Sequence, residues 1–176
     1  MLPIQELPLS PGPNRPGDII IPKRIIVHRT GNPNSSALQN RNYFESLNHP
    51  PYAGKLYASA HYIVDAGNII RCIPERERAH HCRGANYNSI GIETCEPLQP
   101  DCYRNLLELV VDICRRYHFE PTPGFIQPHS KYEPVNRAYD PFNWAAYQQG
   151  RVNPARDLFD PVDFYRDLQR VCNGGV

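Results

Sequence analysis

The chain contains 176 residues, which is enough for one domain with a substantial hydrophobic core. Its 19 basic and 18 acidic residues leave a net charge of +1, so its surface is not built to attract nucleic acid or an anionic membrane. No apolar stretch approaches the ~20 residues of a membrane span. We therefore expect no nucleic-acid partner and no membrane insertion, and we take the protein to be a monomer.

The N-terminal segment, residues 1–16, lacks the basic and apolar regions of a signal peptide. We therefore expect synthesis in the cytoplasm and any export by another route. The 19 prolines fall in clusters and amount to roughly twice the typical share, which predicts long ordered loops. The six cysteines form no CxxC pair, and disulfide frameworks belong mainly to small secreted domains, so we expect reduced thiols.

The first part of the chain is predicted to contain an arm, a strand and a helix. Residues 1–22 are Pro-rich and are expected to form an extended arm over the surface. The β-branched run in residues 24–28 is typical of a buried strand. Residues 34–36 offer N-caps for a helix that extends to about Asn48, where the His-Pro-Pro sequence of residues 49–51 stops it.

The middle of the chain is predicted to add strands and the main helix. Two short strands joined by a turn are expected over residues 60–73, and another buried strand over residues 89–95. The strongest helix pattern starts near Asp101. Its apolar residues at helical spacing are Leu106, Leu107, Val110, Ile113, Cys114 and Tyr117.

The last part of the chain is predicted to hold one short strand, at residues 125–126, and one helix. Residues 160–163 combine an N-cap aspartate, a proline and an acid, which is typical of a helix start. Residues 173–175 are typical of a C-cap or of the start of a linker. These elements predict an α/β fold: a single domain with a mixed central β-sheet flanked by helices, and with long Pro-rich loops.

Four residues at the ends of these elements are the parts of a hydrolytic zinc site. His28 ends the first predicted strand and delivers an imidazole to the edge of the sheet. His129 and Asp140 lie in one loop, and Glu93 ends the strand that starts at residue 89. Two imidazoles and a carboxylate can bind zinc, while a separate carboxylate serves as the base.

Simpler interpretations of these residues stay open on the sequence alone. A glutamate at a strand end is commonly a surface acid, and an aspartate before a proline is commonly a turn residue. Glu133 competes with Asp140 as the third ligand. His80 and His81 are adjacent in an extended loop, where neighbouring side chains point apart, which argues against joint chelation.

Five blocks of the sequence follow one another in an ordered set. They are residues 26–28, 59–69, 78–81, 89–93 and 128–130. In this order they resemble the N-acetylmuramoyl-L-alanine amidase type 2 family, over roughly residues 24–144. That family includes phage endolysins, bacterial cell-wall amidases and peptidoglycan-recognition proteins. The ordered set is far more specific than any single block.

The resemblance implies a zinc hydrolase that cleaves the amide bond between N-acetylmuramic acid and L-alanine of the stem peptide. Its substrate would be peptidoglycan or a muropeptide. The resemblance implies that His28, His129 and Asp140 bind one zinc ion and that Glu93 is catalytic. It also implies that His61 and His81 line or support the site. A buried, hydrogen-bonded histidine is the alternative at each of those two positions.

Two positions depart from the family pattern. Some relatives have a catalytic tyrosine just before the position of His61, where this chain has Ala60, which places more weight on the glutamate. Many active relatives have a lysine two residues before the third ligand, thought to stabilise the oxyanion, where this chain has Ala138. Arg137 or Lys131 would be the substitute cation. If neither residue takes the place of the lysine, either zinc alone polarises the carbonyl or the activity is weakened.

We interpret residues 23–172 as the zinc amidase catalytic domain of a phage endolysin, preceded by the arm at 1–22 and followed by the start of a linker at 173–176. Such a protein is made in the host cytoplasm and acts on the cell wall after release. The alternatives are a bacterial autolysin, a cytosolic muropeptide-recycling amidase, and a non-catalytic peptidoglycan-binding module. Loss of a zinc ligand is usual in that last class, and this sequence retains all three.

Overall fold

A mixed β-sheet with helices on both faces organises residues 2–175, which are the residues that the computed structural model describes. The strands are β1 Ile4–Glu6, β2 Arg24–Arg29, β3 Tyr62–Val64, β4 Ile69–Arg71, β5 Ser89–Thr94 and β6 Ile126–Pro128. The helices are α1 Ala37–Ser46, α2 Pro100–Tyr117, α3 Trp144–Gln148 and α4 Pro161–Cys172, with a 3₁₀ turn at His129–Lys131. The predicted fold class is confirmed.

The order of strands in the sheet is β1-β4-β3-β5-β2-β6. The pair β3–β4 is the predicted antiparallel hairpin, and the other neighbouring pairs are parallel. The two longest strands, β2 and β5, pair along their whole length, so that His28 lies opposite Glu93. Since partners in a parallel pair point to the same face, both side chains emerge together at the carboxyl ends of these strands.

The alternation of side chains along β2 decides which face receives His28. Ile25 and Val27 are buried in the core beneath α2 and α4, whereas Ile26 packs on the opposite face against Cys82. His28 is two residues beyond Ile26 and therefore shares its face. The face of the sheet without α2 and α4 is thus the face that carries the imidazole.

Local signals account for the ends of the helices. Ser36 caps α1, because its side chain accepts a hydrogen bond from the backbone of Gln39 and its own backbone donates to the Gln39 side chain. Asp160 caps α4 by accepting from the backbone of Val162 and Asp163. Both caps are those that the sequence predicts.

The N-terminal arm is integrated more deeply than the Pro-rich pattern predicts. Its strand β1 adds a parallel edge strand beside β4, and Leu9 is buried in the core. Asn14 is fully buried and holds the arm to the α1–β3 connection: its side chain donates to the Leu47 carbonyl and accepts from the Ala58 amide. Met1, the first residue of the predicted arm, lies outside the described residues.

Other features lie outside the sheet. The five-residue helix α3 is not predicted, because so short an element shows no helical period. Asn173 is the C-cap of α4, and Val176 of the predicted linker start lies outside the described residues.

The six cysteines are free, and Cys172 alone among them is partly exposed. Between residues 2 and 175, no helix is both long enough and apolar enough to cross a membrane.

Candidate metal centre

Three predicted site residues converge at the carboxyl edge of the sheet. His28 lies near the end of β2, His129 directly follows β6, and Asp140 lies further along the same loop. The Nδ1 atoms of His28 and His129 are 3.1 Å apart, and His129 Nδ1 is 3.2 Å from Asp140 Oδ2. His28 Nδ1 is 3.8 Å from the same oxygen. The structure thus forms one buried cluster from residues more than a hundred positions apart.

The spacing of these three atoms fits a tetrahedral metal ion. Zinc binds histidine nitrogen and carboxylate oxygen at about 2.0–2.2 Å, which places two ligand atoms of a tetrahedron about 3.3–3.6 Å apart. The separations of 3.1, 3.2 and 3.8 Å lie around this value. Two imidazole nitrogens at such a distance also need a proton or a cation between their lone pairs. The cluster could therefore hold one ion with two nitrogens and one oxygen.

Asp140 is held in its ionised form by its surroundings. Its Oδ1 accepts a hydrogen bond from the backbone amide of Arg29 at 2.7 Å. Burial opposes ionisation, but hydrogen bonds from His129 and from that amide, together with the nearby imidazole of His28, hold the pKa of Asp140 well below its usual range. At His129 the contact with Asp140 likewise outweighs burial and raises the pKa to about 10. An ionised carboxylate is the form that binds a cation.

Glu133, the alternative third ligand, lies on the other side of His129. Its Oε1 is 3.3 Å from Nε2 of His129, whereas the ring contacts His28 and Asp140 through Nδ1. Glu133 is therefore close to the ring nitrogen that faces away from the cluster, although within residues 2–175 this nitrogen forms no hydrogen bond. The geometry therefore leaves Glu133 outside the cluster of three.

His61 and His81 have different surroundings. His81 Nδ1 is 3.0 Å from Nε2 of His28, so His81 directly contacts a predicted ligand. His61 accepts a hydrogen bond from the backbone of Gly91 and donates one to the carbonyl of Glu77, both at 2.9 Å. His61 is thus a buried, hydrogen-bonded histidine whose ring packs on that of His81, whereas His81 itself contacts His28.

Glu93 lies beside the cluster with part of its carboxylate unsatisfied. Within residues 2–175, its buried atom Oε2 has no hydrogen-bond partner. Burial, together with the negative charge of Asp140, raises the pKa of Glu93 well above its usual range. A carboxylate with a raised pKa is a stronger base and can both accept and return a proton. This is the behaviour required of a general base that later acts as an acid.

A cleft of about 880 Å³ opens in front of these residues. Arg137 lines it, and Nη1 of Arg137 is 3.8 Å from Asp140 Oδ2. Lys131 points elsewhere: its Nζ is 5.1 Å from the ring centre of Trp144 and 5.9 Å from that of Tyr132. Of the two predicted cations, the structure therefore brings only Arg137 to the cleft wall.

Gly91 is a residue of the site to which the sequence alone assigns no role. It lies in the middle of β5, and a Cβ atom at this position would come within 2.5 Å of Cγ of His81. Only glycine allows the imidazole of His81 to pack directly on the strand. A glycine inside a buried strand is the signal that predicts such a close approach.

Known proteins share both sequence and fold with this chain. A model of the family described as N-acetylmuramoyl-L-alanine amidase matches residues 17–143. The chain is 36% identical to a probable N-acetylmuramoyl-L-alanine amidase of Bacillus licheniformis, over 59% of this chain and 33% of that protein. It spans about a third of the length of the curated relatives it matches.

Solved structures show the same fold at low sequence identity. PlyL superposes with a TM-score of 0.72 and 22% identity, covering 99% of this chain and 100% of PlyL. A mutant endolysin from Bacillus subtilis superposes with a TM-score of 0.66 and 24% identity, covering 77% of this chain and 89% of that one. At such identities the likeness establishes the fold alone.

Acid should destabilise the metal-free protein through His61. Burial lowers the pKa of His61 to about 4, whereas the unfolded chain takes up this proton near pH 6.5. Because the unfolded state then binds more protons, the free energy of unfolding falls as the pH drops from 6.5 to 4, by up to about 3 kcal/mol from this residue. Urea unfolding at several pH values measures the effect.

The substitution His61→Gln removes this titration and should reduce the slope of stability against pH in that interval. His49→Gln changes an exposed histidine and serves as the control, which should keep the profile of the parent protein. Equal slopes for the parent and for His61→Gln would contradict the assignment.

Proposed function

The chain belongs to the N-acetylmuramoyl-L-alanine amidase family, and on this basis we propose that it is a zinc-dependent peptidoglycan hydrolase. It cleaves the amide bond between N-acetylmuramic acid and L-alanine of the stem peptide. The observation that carries the proposal is the convergence of His28, His129 and Asp140 at the cleft, with Glu93 beside them.

His28, His129 and Asp140 are the residues that hold the zinc ion in this proposal. A zinc ion in such a site is a Lewis acid that lowers the pKa of water and polarises a carbonyl group. The protein contributes two neutral nitrogen donors and one negative charge. The separations of 3.1, 3.2 and 3.8 Å among the three donor atoms support this assignment.

Glu93 carries the proton through the reaction. Attack of water on the amide carbonyl releases a proton, and the departing amine of L-alanine must gain one. The unpartnered Oε2 of Glu93 and its raised pKa suit both transfers. The register of β2 and β5 supports this role, because it places Glu93 next to His28.

Arg137 supplies the positive charge that many relatives obtain from a lysine at the position of Ala138. The Arg137 side chain lines the cleft and is 53% exposed, so it is free to move towards a bound substrate. A guanidinium group near the carbonyl oxygen stabilises the negative charge that develops there during the attack.

We also propose that this domain is the catalytic part of a phage endolysin, made in the host cytoplasm and acting on the cell wall after release. The fold that the chain shares with a mutant endolysin from Bacillus subtilis is compatible with this assignment. An autolysin or a recycling amidase would use the same site. A non-catalytic recognition module is disfavoured, because the ligand cluster and Glu93 occur together at an open cleft.

Replacing the carboxylate of Glu93 tests the proposed reaction. The zinc-loaded protein should release new N-terminal alanine from purified peptidoglycan, and Glu93→Gln should lower kcat by about 10²–10⁴-fold because the proton carrier is lost. Binding to the wall and zinc content should not change. Glu120→Gln, at an exposed position, is the matched control.

Two outcomes of this experiment would count against the proposal. If the parent protein releases no alanine from several wall types but still binds them, the chain is a recognition module. If Glu93→Gln keeps the full rate, another residue carries the proton.

A pair of substitutions distinguishes the two candidate cations. Arg137→Ala should lower kcat/KM by about 10²–10³-fold, because the developing oxyanion loses a charged partner. Lys131→Ala should leave kcat/KM near that of the parent, because Lys131 packs on Trp144 away from the cleft. The reverse result, with Lys131→Ala the more damaging, would show that the assignment is wrong.

A further inference from the structure

A chain of hydrogen bonds leads from a backbone carbonyl to the metal-facing ring of His28. It starts at Ser89, the first residue of β5, whose hydroxyl is 2.6 Å from the carbonyl oxygen of Ala85. A carbonyl oxygen can only accept a hydrogen bond, and a hydroxyl has a single proton. Ser89 therefore donates its proton to the carbonyl of Ala85, and the lone pairs of Oγ can only accept a hydrogen bond.

The next residue in this series of hydrogen bonds is His81. Its Nε2 is 3.2 Å from Ser89 Oγ, so this nitrogen must carry the proton that Oγ accepts. The ring is buried and lies edge-on to two other imidazoles, those of His28 and His61, which disfavours a second proton on it. A neutral imidazole protonated at Nε2 has a lone pair at Nδ1. His81 therefore presents an acceptor to His28.

The direction of these bonds determines which nitrogen of His28 is free. His81 Nδ1 is 3.0 Å from His28 Nε2, which must donate to it. The single proton of a neutral His28 is then at Nε2, and the lone pair at Nδ1 points to His129 and Asp140. This is the tautomer that can bind a metal ion at the cluster.

The surrounding residues hold this arrangement in place. The backbone amides of His81 and Cys82 both donate to the side chain of Asn86, at 3.0 and 2.7 Å, which orders the turn that carries His81. Gly91 allows the ring to lie against β5. The other predicted histidine ligand, His129, has no such support within residues 2–175: its Nε2 forms no hydrogen bond, and the carboxylate of Glu133 only lies 3.3 Å from it.

We propose that His81 and Ser89 are positioning residues that set the tautomer of His28 and so prepare its Nδ1 for the metal. This inference rests on the zinc site of the proposed function. It adds that a neutral relay of hydrogen bonds, which runs from His28 through His81 and Ser89 to the carbonyl of Ala85, supports this histidine ligand. Partners of this kind commonly affect metal affinity by 10–100-fold.

The first test measures tautomers in the metal-free protein by nitrogen-15 NMR of the imidazole rings. His28 should be protonated at Nε2 in the parent. Ser89→Ala removes the hydroxyl that accepts the His81 proton, so this proton can move to Nδ1 and the His28 proton to its own Nδ1. Ser59→Ala changes an equally buried serine whose hydroxyl accepts from the His80 backbone, and it should leave the His28 tautomer unchanged.

The second test measures the dissociation constant for zinc alone, by competition with a chelator. Ser89→Ala should weaken zinc binding by about tenfold, and His81→Leu by up to about 100-fold, whereas Ser59→Ala should have no effect. His81→Asn keeps an acceptor close to the position of Nδ1 and should bind zinc more tightly than His81→Leu. A structural role alone would not separate these two variants.

The relay is overturned if His28 of the parent is protonated at Nδ1, or if Ser89→Ala changes neither the tautomer nor the zinc affinity. Equal zinc affinities for His81→Leu and His81→Asn would also overturn it. Failure of the proposed function gives a different result, because the parent would then bind no zinc. If the parent binds no zinc, the NMR data on the metal-free protein still test whether His81 and Ser89 set the tautomer of His28.

Discussion

The parallel pairing of β2 with β5 is the constraint on which the rest of the site depends. Six consecutive residue pairs fix the register, and His28 and Glu93 are partners within it. A shift of one residue would turn every side chain of the strand to the other face, and would place His28 in the apolar core beneath α2. The burial of Ile25 and Val27 against that helix therefore keeps the imidazole on the cleft side.

The electrostatics of the site separate two carboxylates that lie close together. Hydrogen bonds from His129 and from a backbone amide favour the ionised form of Asp140, whereas burial beside that negative charge favours the protonated form of Glu93. One acid is thereby suited to binding a cation and the other to moving a proton. Environment makes this division, since an aspartate and a glutamate have similar intrinsic acidity.

The sequence predicts the elements that depend on local patterns. The apolar periods of β2, β5 and α2 and the caps Ser36 and Asp160 are short-range signals, and the structure contains each of them. The strand β1 escapes prediction because its three residues gain order only by pairing with β4, which is more than sixty positions away. The resemblance to a family places the four central site residues, and the fold brings three of them into one cluster.

Ring orientation is the part of the site that a sequence cannot specify. Glu133 and Asp140 are equivalent acids in the sequence, and only the position of each nitrogen of His129 shows that they approach opposite sides of the ring. His61 and His81 are likewise equivalent until their hydrogen-bond partners are known. The roles of Gly91 and Ser89 depend on the placement of His81, which no local pattern encodes.

X-ray absorption at the zinc edge of the zinc-loaded protein reports the atoms bound to the ion and therefore checks the ligand set itself. We expect two imidazole nitrogens and carboxylate oxygen at about 2.0–2.2 Å, with no sulfur. A sulfur atom at about 2.3 Å would contradict it and would point to Cys82, whose thiol interacts with His129. A spectrum with fewer than two imidazoles would contradict it equally.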